Sequence, residues 1–291
     1  MFKLIISEMR ISQYTKNLLI YAALIFNGSI LNPQKFFNAS LIFISFCIAS
    51  SGIYFFNDIF DYDNDKLNPE KFNRPIASGK LNLFTGKIFS GVFIFVGLLI
   101  SSAVNFKCLL ILFSYVILNI FYTIKLKNIV IIDVMIIAYG FVARAIIGAV
   151  ATEINMTAWF ILCIMFLSLF LALSKRRHEL TELQELRLKT GREVLKFYTI
   201  ELIDQMINIV TSCVIISYAL FTMDATTKNN NAMALTVPLV LYGIFYYLYI
   251  VRVKNSGGSP DKTLYIEKPI LLTVSIYLIY VILVRNFIFL F

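Results

Sequence analysis

Nine long apolar stretches, separated by polar or charged connections, dominate this chain and fix its solvent before any motif is considered. They lie near residues 15–31, 37–57, 88–106, 108–124, 129–151, 157–174, 199–222, 233–251 and 269–290. A helix crossing a bilayer core needs ~17 to 25 apolar residues, and the first and fourth stretches sit near the lower end of that range. Hydrophobic residues make up 59% of the 291, with a mean hydropathy of +0.80. Soluble domains are only about half apolar. The expected fold is therefore all-α: a polytopic membrane bundle of about nine transmembrane helices, built as one domain over residues 1–291.

The first nine residues lack the basic start, short apolar run and cleavage site of a signal peptide, so the first stretch is expected to stay in the mature chain. Cys47, Cys108, Cys163 and Cys213 fall in different apolar stretches with no metal-ligand spacing, and read as small packing residues. Lys and Arg gather in the cytoplasmic loops of membrane proteins. With the N-terminus inside, all but Lys35, Lys107, Lys228, Arg144 and Arg285 of the 26 basic residues fall on the cytoplasmic side. That asymmetry sets topology; alone it does not establish an anionic substrate. No nucleic-acid partner is expected.

Two inner connections, 58–87 and 175–197, are long and densely charged, which marks them as the cap of a site. They follow the second and sixth stretches, a spacing that suggests two related four-helix halves and a ninth span. Leucines among charges over 179–196 predict an amphipathic helix, lying either at the interface or on a solvated surface. The Gly-Gly and Ser-Pro steps of 255–261 predict a flexible loop.

The chemistry is concentrated in NDIFDYDNDKLNPEKFNRPIASGKL, residues 57–81. Spacings of three and four bring Asp58, Asp61 and Asp65 within about 60° on one helical face, with Asp63 turned away. Like charges so placed repel unless a cation neutralises them. Mg²⁺ prefers oxygen ligands and bridges one or two carboxylates to phosphates, so the triad predicts a Mg²⁺ site for a diphosphate. Asn57 supplies a further polar group. Lys66, Lys71, Arg74 and Lys80 follow, suited to the charge that develops on a leaving group. Asp133 and Arg144 share a helical face inside the fifth stretch, roughly 16 Å apart along the axis and too far for a direct pair. Charge within a span is a functional signal, although Arg144 serves equally well as a structural cation bonded to helix carbonyls.

Asn57-Asp58-x-x-Asp61-x-x-x-Asp65, with Pro69, Lys71, Arg74-Pro75 and Gly79, resembles the first aspartate-rich motif of the UbiA-type intramembrane prenyltransferases. Within that superfamily the chain is similar, over nearly its whole length, to the decaprenyl-phosphate phosphoribosyltransferase branch. Arg10-x-x-Gln13-x-x-Lys16-Asn17, Tyr122-x-x-Lys125-x-Lys127, Asp133 with Arg144, and Lys175-Arg176-x-x-Glu179-Leu180 carry that likeness. Quinone-type members have a second aspartate-rich motif where this chain has Lys175, Arg176 and Arg177.

The resemblance implies transfer of 5-phosphoribose from 5-phosphoribosyl diphosphate to a polyprenyl phosphate, in a prokaryotic cell membrane, with the active site facing the cytoplasm and a role in cell-envelope biosynthesis. It implies that Asp58, Asp61 and Asp65 hold Mg²⁺ and act catalytically. Asn57, Lys71, Arg74, Tyr122, Lys125, Lys175, Arg176 and Glu179 are the expected donor-binding residues, and Arg10, Gln13, Lys16 and Asn17 the acceptor-binding ones. Asp133 and Arg144 have open roles, and a homo-oligomer is compatible with the sequence. His178, the single histidine, is not needed as a base, because a phosphomonoester with a second pKa near ~6 is already a nucleophile at neutral pH. Two other classes remain: a prenyltransferase acting on an aromatic acceptor, and a cation-coupled lipid or solute transporter.

Overall fold

A computed structural model describes residues 1–68, 71–185, 192–224, 230–254, 263 and 266–287, apart from the side chains of 185, 230 and 231. Pro69 of the motif, Leu186 and Leu188 of the expected interfacial helix, and the 255–261 loop lie outside these residues. Among the described residues the chain is helical: α1 (Phe2–Glu8), a 3₁₀ segment (Ile11–Tyr21), α2 (Ala22–Asn27), α3 (Pro33–Phe60), α4 (Tyr62–Leu67), α5 (Leu83–Val104) and α6 (Phe106–Ile124). Then come a short 3₁₀ turn (Leu126–Asn128), α7 (Ile132–Ala151), α8 (Ala158–Glu185), a second 3₁₀ turn (Glu193–Phe197), α9 (Ile200–Met223), α10 (Asn230–Ala234), α11 (Val237–Arg252) and α12 (Lys268–Asn286).

Helix starts follow local chemistry. The side chains of Asn32, Asn82, Asn105 and Thr199 accept from the backbone N–H of Lys35, Phe84, Lys107 and Leu202, satisfying donors that the first turns of α3, α5, α6 and α9 would otherwise leave open. Pro33, at the first position of α3, loses nothing there because that N–H has no intrahelical partner.

Eight helical stretches among the described residues are long and apolar enough to cross a membrane. The first expected span differs from the other eight. Its place is taken by the long 3₁₀ segment and the short α2, because polar side chains in and just before it are drawn to different neighbours: Tyr14 to Ser51 of α3, and Asn17 to Cys47 of α3 and Arg144 of α7. A second difference lies at 179–185, which continues α8 rather than opening a separate interfacial helix. Leu180 is buried in the core there and Leu183 packs against it, so the apolar face of this stretch belongs to the bundle.

Small residues set the closest helix contacts. A Cβ on Gly52 would meet the Ser90 carbonyl at 2.8 Å, and one on Gly97 would meet the Ala49 Cβ at 2.8 Å. Across that seam Ser90 Oγ donates to the Gly52 carbonyl at 2.8 Å, and Ser45 Oγ to the Gly97 carbonyl at 2.7 Å. Such close approach with hydrogen bonds between helices replaces the hydrophobic effect where lipid is as apolar as the side chains. The outer face of α5 accordingly exposes Phe84, Ile88, Val92, Phe95 and Leu99.

Two cores are the largest among the described residues. Phe46, Leu112 and Ile147 join α3, α6 and α7, while Phe170, Ile203 and Tyr247 join α8, α9 and α11. The charged connections gather at one end of the bundle, where Lys127 reaches Asp61 and Arg192 reaches Tyr122.

Candidate active site

The acidic triad stands where α3 gives way to α4. Asp61 interrupts the helix assignment by one residue, yet its N–H donates to the Asn57 carbonyl at 2.9 Å and its carbonyl accepts from Asp65 at 2.8 Å. The spacings of three and four therefore keep their helical meaning, and Asp58 and Asp65 come close enough to share a cation. Arg74 Nη1 donates to Asp58 Oδ1 at 3.1 Å and to Asp65 Oδ2 at 2.6 Å, while Lys71 lies 3.3 Å from Asp65 Oδ1. Lys127 pairs with Asp61, and Thr123 donates to the Asn57 side-chain oxygen. Lys66 instead sits 3.9 Å from the centre of the Tyr62 ring.

Arg10 also joins this group, donating to Asp58 and lying 5.0 Å from the Tyr54 ring centroid. It is placed there by a left-handed backbone, φ 52°, at the residue that leads from α1 into the 3₁₀ segment. Burial opposes the Arg10 charge, but the Asp58 carboxylate outweighs it and raises the guanidinium pKa above its usual value. Glu8, just before this reversal, reaches Asp58 too and is only 1% exposed. Burial, then a hydrogen bond to Asp58 and the Asp58 charge, push its carboxyl up to about 9.

Among the described residues no three Asp, Glu, His or Cys side chains close into a metal cage. Mg²⁺ does not require one, since it keeps several waters and takes one or two carboxylates. The donor set fits that demand. Asp58 Oδ2 and both Glu8 oxygens are buried without a well-formed hydrogen bond, and Asp61 is more exposed.

A second, basic group is assembled from three parts of the chain. Lys175 of α8 lies within electrostatic reach of Lys16, Arg176, Glu179 and Arg192. Lys16 Nζ donates to Gln13 Oε1 at 2.6 Å. Arg192 Nη1 donates to Tyr122 Oη at 2.9 Å, and Arg192 Nε lies 3.7 Å from Glu179 Oε2.

Arg176 has a different position from its neighbour. It is 1% exposed, donating from Nε to Asp133 Oδ2 at 2.7 Å and from Nη1 to Glu179 Oε2 at 2.6 Å. Asp133 is fully buried and also accepts from Tyr198 Oη at 2.9 Å. That same hydroxyl accepts the Ile131 N–H at 2.8 Å, pinning a β-branched residue at φ 69°. Asp133 and Arg176 thus brace α7, α8 and the segment before α9.

Arg144 lies deeper and is fully engaged. Its Nε donates to Asn17 Oδ1 at 2.7 Å, Nη1 to the Gly140 carbonyl at 2.6 Å and Nη2 to Tyr115 Oη at 3.2 Å. The Phe46 ring centroid is 4.7 Å from its guanidinium carbon. Asn17 is buried by this contact and gives its amide N–H to Cys47 Sγ at 3.1 Å. The expected acceptor-binding set therefore divides: Lys16, with Gln13 bonded to it, belongs to the basic group, Arg10 joins the acids and Asn17 turns inward. Lys125 is exposed at the C-terminal end of α6.

Glu8, Lys127 as a partner of Asp61, and Arg192 are residues of the candidate site that sequence reasoning misses. The signal for Lys127 is its place in Tyr122-x-x-Lys125-x-Lys127; Glu8 and Arg192 have no local pattern that separates them from solvated charges.

A model of the UbiA prenyltransferase family matches residues 18–268. Decaprenyl-phosphate phosphoribosyltransferase of Corynebacterium glutamicum is 30% identical over 274 residues, covering 90% of this chain and 81% of the relative. The protein of that name from Mycolicibacterium smegmatis is 31% identical over 273 residues, covering 89% and 85%. Among solved structures, a UbiA homolog from Archaeoglobus fulgidus bound to DMAPP and Mg²⁺ superposes with a TM-score of 0.77 at 17% identity, covering 98% of this chain and 99% of that one. With the helical architecture and the acidic motif, the match over most of its length shows that this chain belongs to the UbiA prenyltransferase family.

Proposed function

We propose that the chain transfers 5-phosphoribose from 5-phosphoribosyl diphosphate to a polyprenyl phosphate and releases diphosphate, at a site facing the cytoplasm. The observation that carries this reading is the basic group of Lys16, Lys175 and Arg192. Glu179, the carboxylate within reach of Lys175 and Arg192, is already shared with Arg176. Such an excess of positive charge suits two phosphomonoesters, one on the donor and one on the acceptor. A prenyl diphosphate and a neutral aromatic ring would leave it without a partner. The relatives at 30% and 31% identity carry the name of the proposed activity.

In the reaction, an acceptor phosphate oxygen attacks C1 of the ribose, the bond from C1 to the diphosphate oxygen breaks, and its electron pair leaves with diphosphate. Asp58, Asp61 and Asp65 would hold Mg²⁺, which when bound neutralises the diphosphate as a Lewis acid. Arg74, Lys71 and Lys127, now spent on these carboxylates, are placed to turn to the diphosphate oxygens and stabilise the charge that builds there. Asn57 stands beside them. Tyr122 and Arg192 border the ribose, Lys175 takes a phosphate, and Gln13 with Lys16 orients the acceptor headgroup. Arg176 and Glu179 fix the geometry of this side, with Asp133 beneath. Asn17 and Arg144 secure the 3₁₀ segment that carries Lys16.

Donor binding tests the assignment before any turnover. Purified protein with Mg²⁺ should bind 5-phosphoribosyl diphosphate, measured by calorimetry, and Lys175→Met should weaken that binding by about tenfold or more, the scale of ~1.4 kcal/mol for one charged contact. Binding of a prenyl diphosphate in its place, indifferent to Lys175, would defeat it.

A further inference from the structure

Glu8 is a residue for which packing offers no reason. It ends α1, is 1% exposed, and lies beside Ile5, which packs in a small cluster with Phe55, Ile76 and Leu81. An apolar side chain would fill that place at lower cost, because a buried carboxyl without a good hydrogen bond loses its hydration for nothing. The Glu8 carboxyl meets the Asp58 carboxyl and the backbone N–H of Ile76, and no Lys, Arg or hydroxyl group among the described residues donates to it.

Asp58 presents the matching feature. Its Oδ1 takes Arg10 and Arg74, whereas Oδ2 is buried and receives no cationic or hydroxyl donor among the described residues. The chain reversal at Arg10 brings both flanking side chains to this one carboxylate, with Arg10 on the satisfied oxygen and Glu8 beside the same group. The anchoring is specific: Ser51 Oγ donates to the Met9 carbonyl at 3.1 Å, tying the end of α1 to α3 at the residue between Glu8 and Arg10. Two dry carboxyl groups in contact are held together by one shared proton, and a hard cation that displaces that proton can take the same oxygens, which no Lys, Arg or hydroxyl donor among the described residues satisfies.

We propose that Glu8 is a ligand of the divalent cation, completing with Asp58 a pair of buried carboxylates contributed by α1 and α3. The inference rests on the reading of the acidic cluster as the metal site and adds a ligand from outside the aspartate-rich motif. It also explains why α1 is anchored against α3, since without that helix the metal would be held from one side only.

Mn²⁺ binding to the purified full chain in detergent, read from the electron paramagnetic resonance signal of the free ion and with no donor present, separates the inference from its foundation. Asp58→Asn should abolish binding, and Glu8→Gln should weaken it by roughly tenfold to a hundredfold. Unchanged binding in Glu8→Gln, with loss in Asp58→Asn, would overturn the role of Glu8 and leave the metal site standing. Unchanged binding in Asp58→Asn would overturn both. Glu8→Cys provides a second readout, since a thiolate favours soft ions. The preference for Cd²⁺ over Mn²⁺ should rise by about tenfold or more over the wild-type ratio; a ratio equal to wild type would overturn the proposal.

Discussion

Arg176 on α8 donates to Asp133 on α7 at 2.7 Å, with the two side chains 1% and 0% exposed. Removing one member of such a pair strands a buried charge, which costs about 3 to 5 kcal/mol, whereas replacing both by apolar groups of similar volume is often neutral. Arg176→Met alone, which leaves the fully buried Asp133 carboxylate with only the Tyr198 hydroxyl among the described residues, should therefore lower the melting temperature of the detergent-solubilised protein sharply. Asp133→Leu with Arg176→Met should regain most of that loss. Equal damage from the single and double changes would show that the pair does not act as a unit.

Gly148 provides a steric test of the N-terminal 3₁₀ segment. A Cβ there would stand 1.9 Å from the Ile20 carbonyl oxygen, so backbone must move to admit it. Gly148→Ala should destabilise by about 1 to 3 kcal/mol, the usual cost of forcing atoms into a filled interior. Gly91, with open space around its Cβ position, is the control: Gly91→Ala should leave the melting temperature unchanged or raise it. Loss at both positions alike would contradict the close approach of Ile20 to α7.

The Glu8 carboxyl, held up at about 9 against an ordinary 4.5, makes stability depend on pH in a defined direction. The folded state keeps a proton that the unfolded state gives up once pH passes about 4.5. Stability from this group is complete below that value and is lost as pH rises through about 9. Without divalent cations, wild-type protein should lose melting temperature relative to Glu8→Gln between about pH 5 and pH 9. Parallel curves for the two proteins would contradict the raised value.

The fold was legible where the signal was an average over many residues. Eight apolar helices and the gathering of charged connections at one end follow from hydropathy, and the acidic face of 58–65 follows from helical spacing. Pairings between distant segments were not legible. Arg176 reads as one of three adjacent cations, and only packing against Asp133, 43 residues earlier, sets it apart from Lys175. Asn17 looks like a polar end to a binding motif until Arg144, 127 residues on, claims its oxygen. The first apolar stretch has helical composition, yet the local pull of Ser51, Cys47 and Arg144 on its polar groups prevails over the regular helix. Glu8 was hidden for a similar reason: nothing within α1 records that Asp58 lies against it.

Transfer of the sugar is the central claim, and one assay addresses it directly. Purified protein in detergent with Mg²⁺ and polyprenyl phosphate is supplied with 5-phosphoribosyl diphosphate radiolabelled in its 5-phosphate, and the lipid fraction is counted. The label should pass to the polyprenyl phosphate, with one diphosphate released per transfer, and Asp58→Asn should abolish it. An unlabelled lipid fraction, from protein that instead joins a prenyl diphosphate to an aromatic acceptor, would contradict the account.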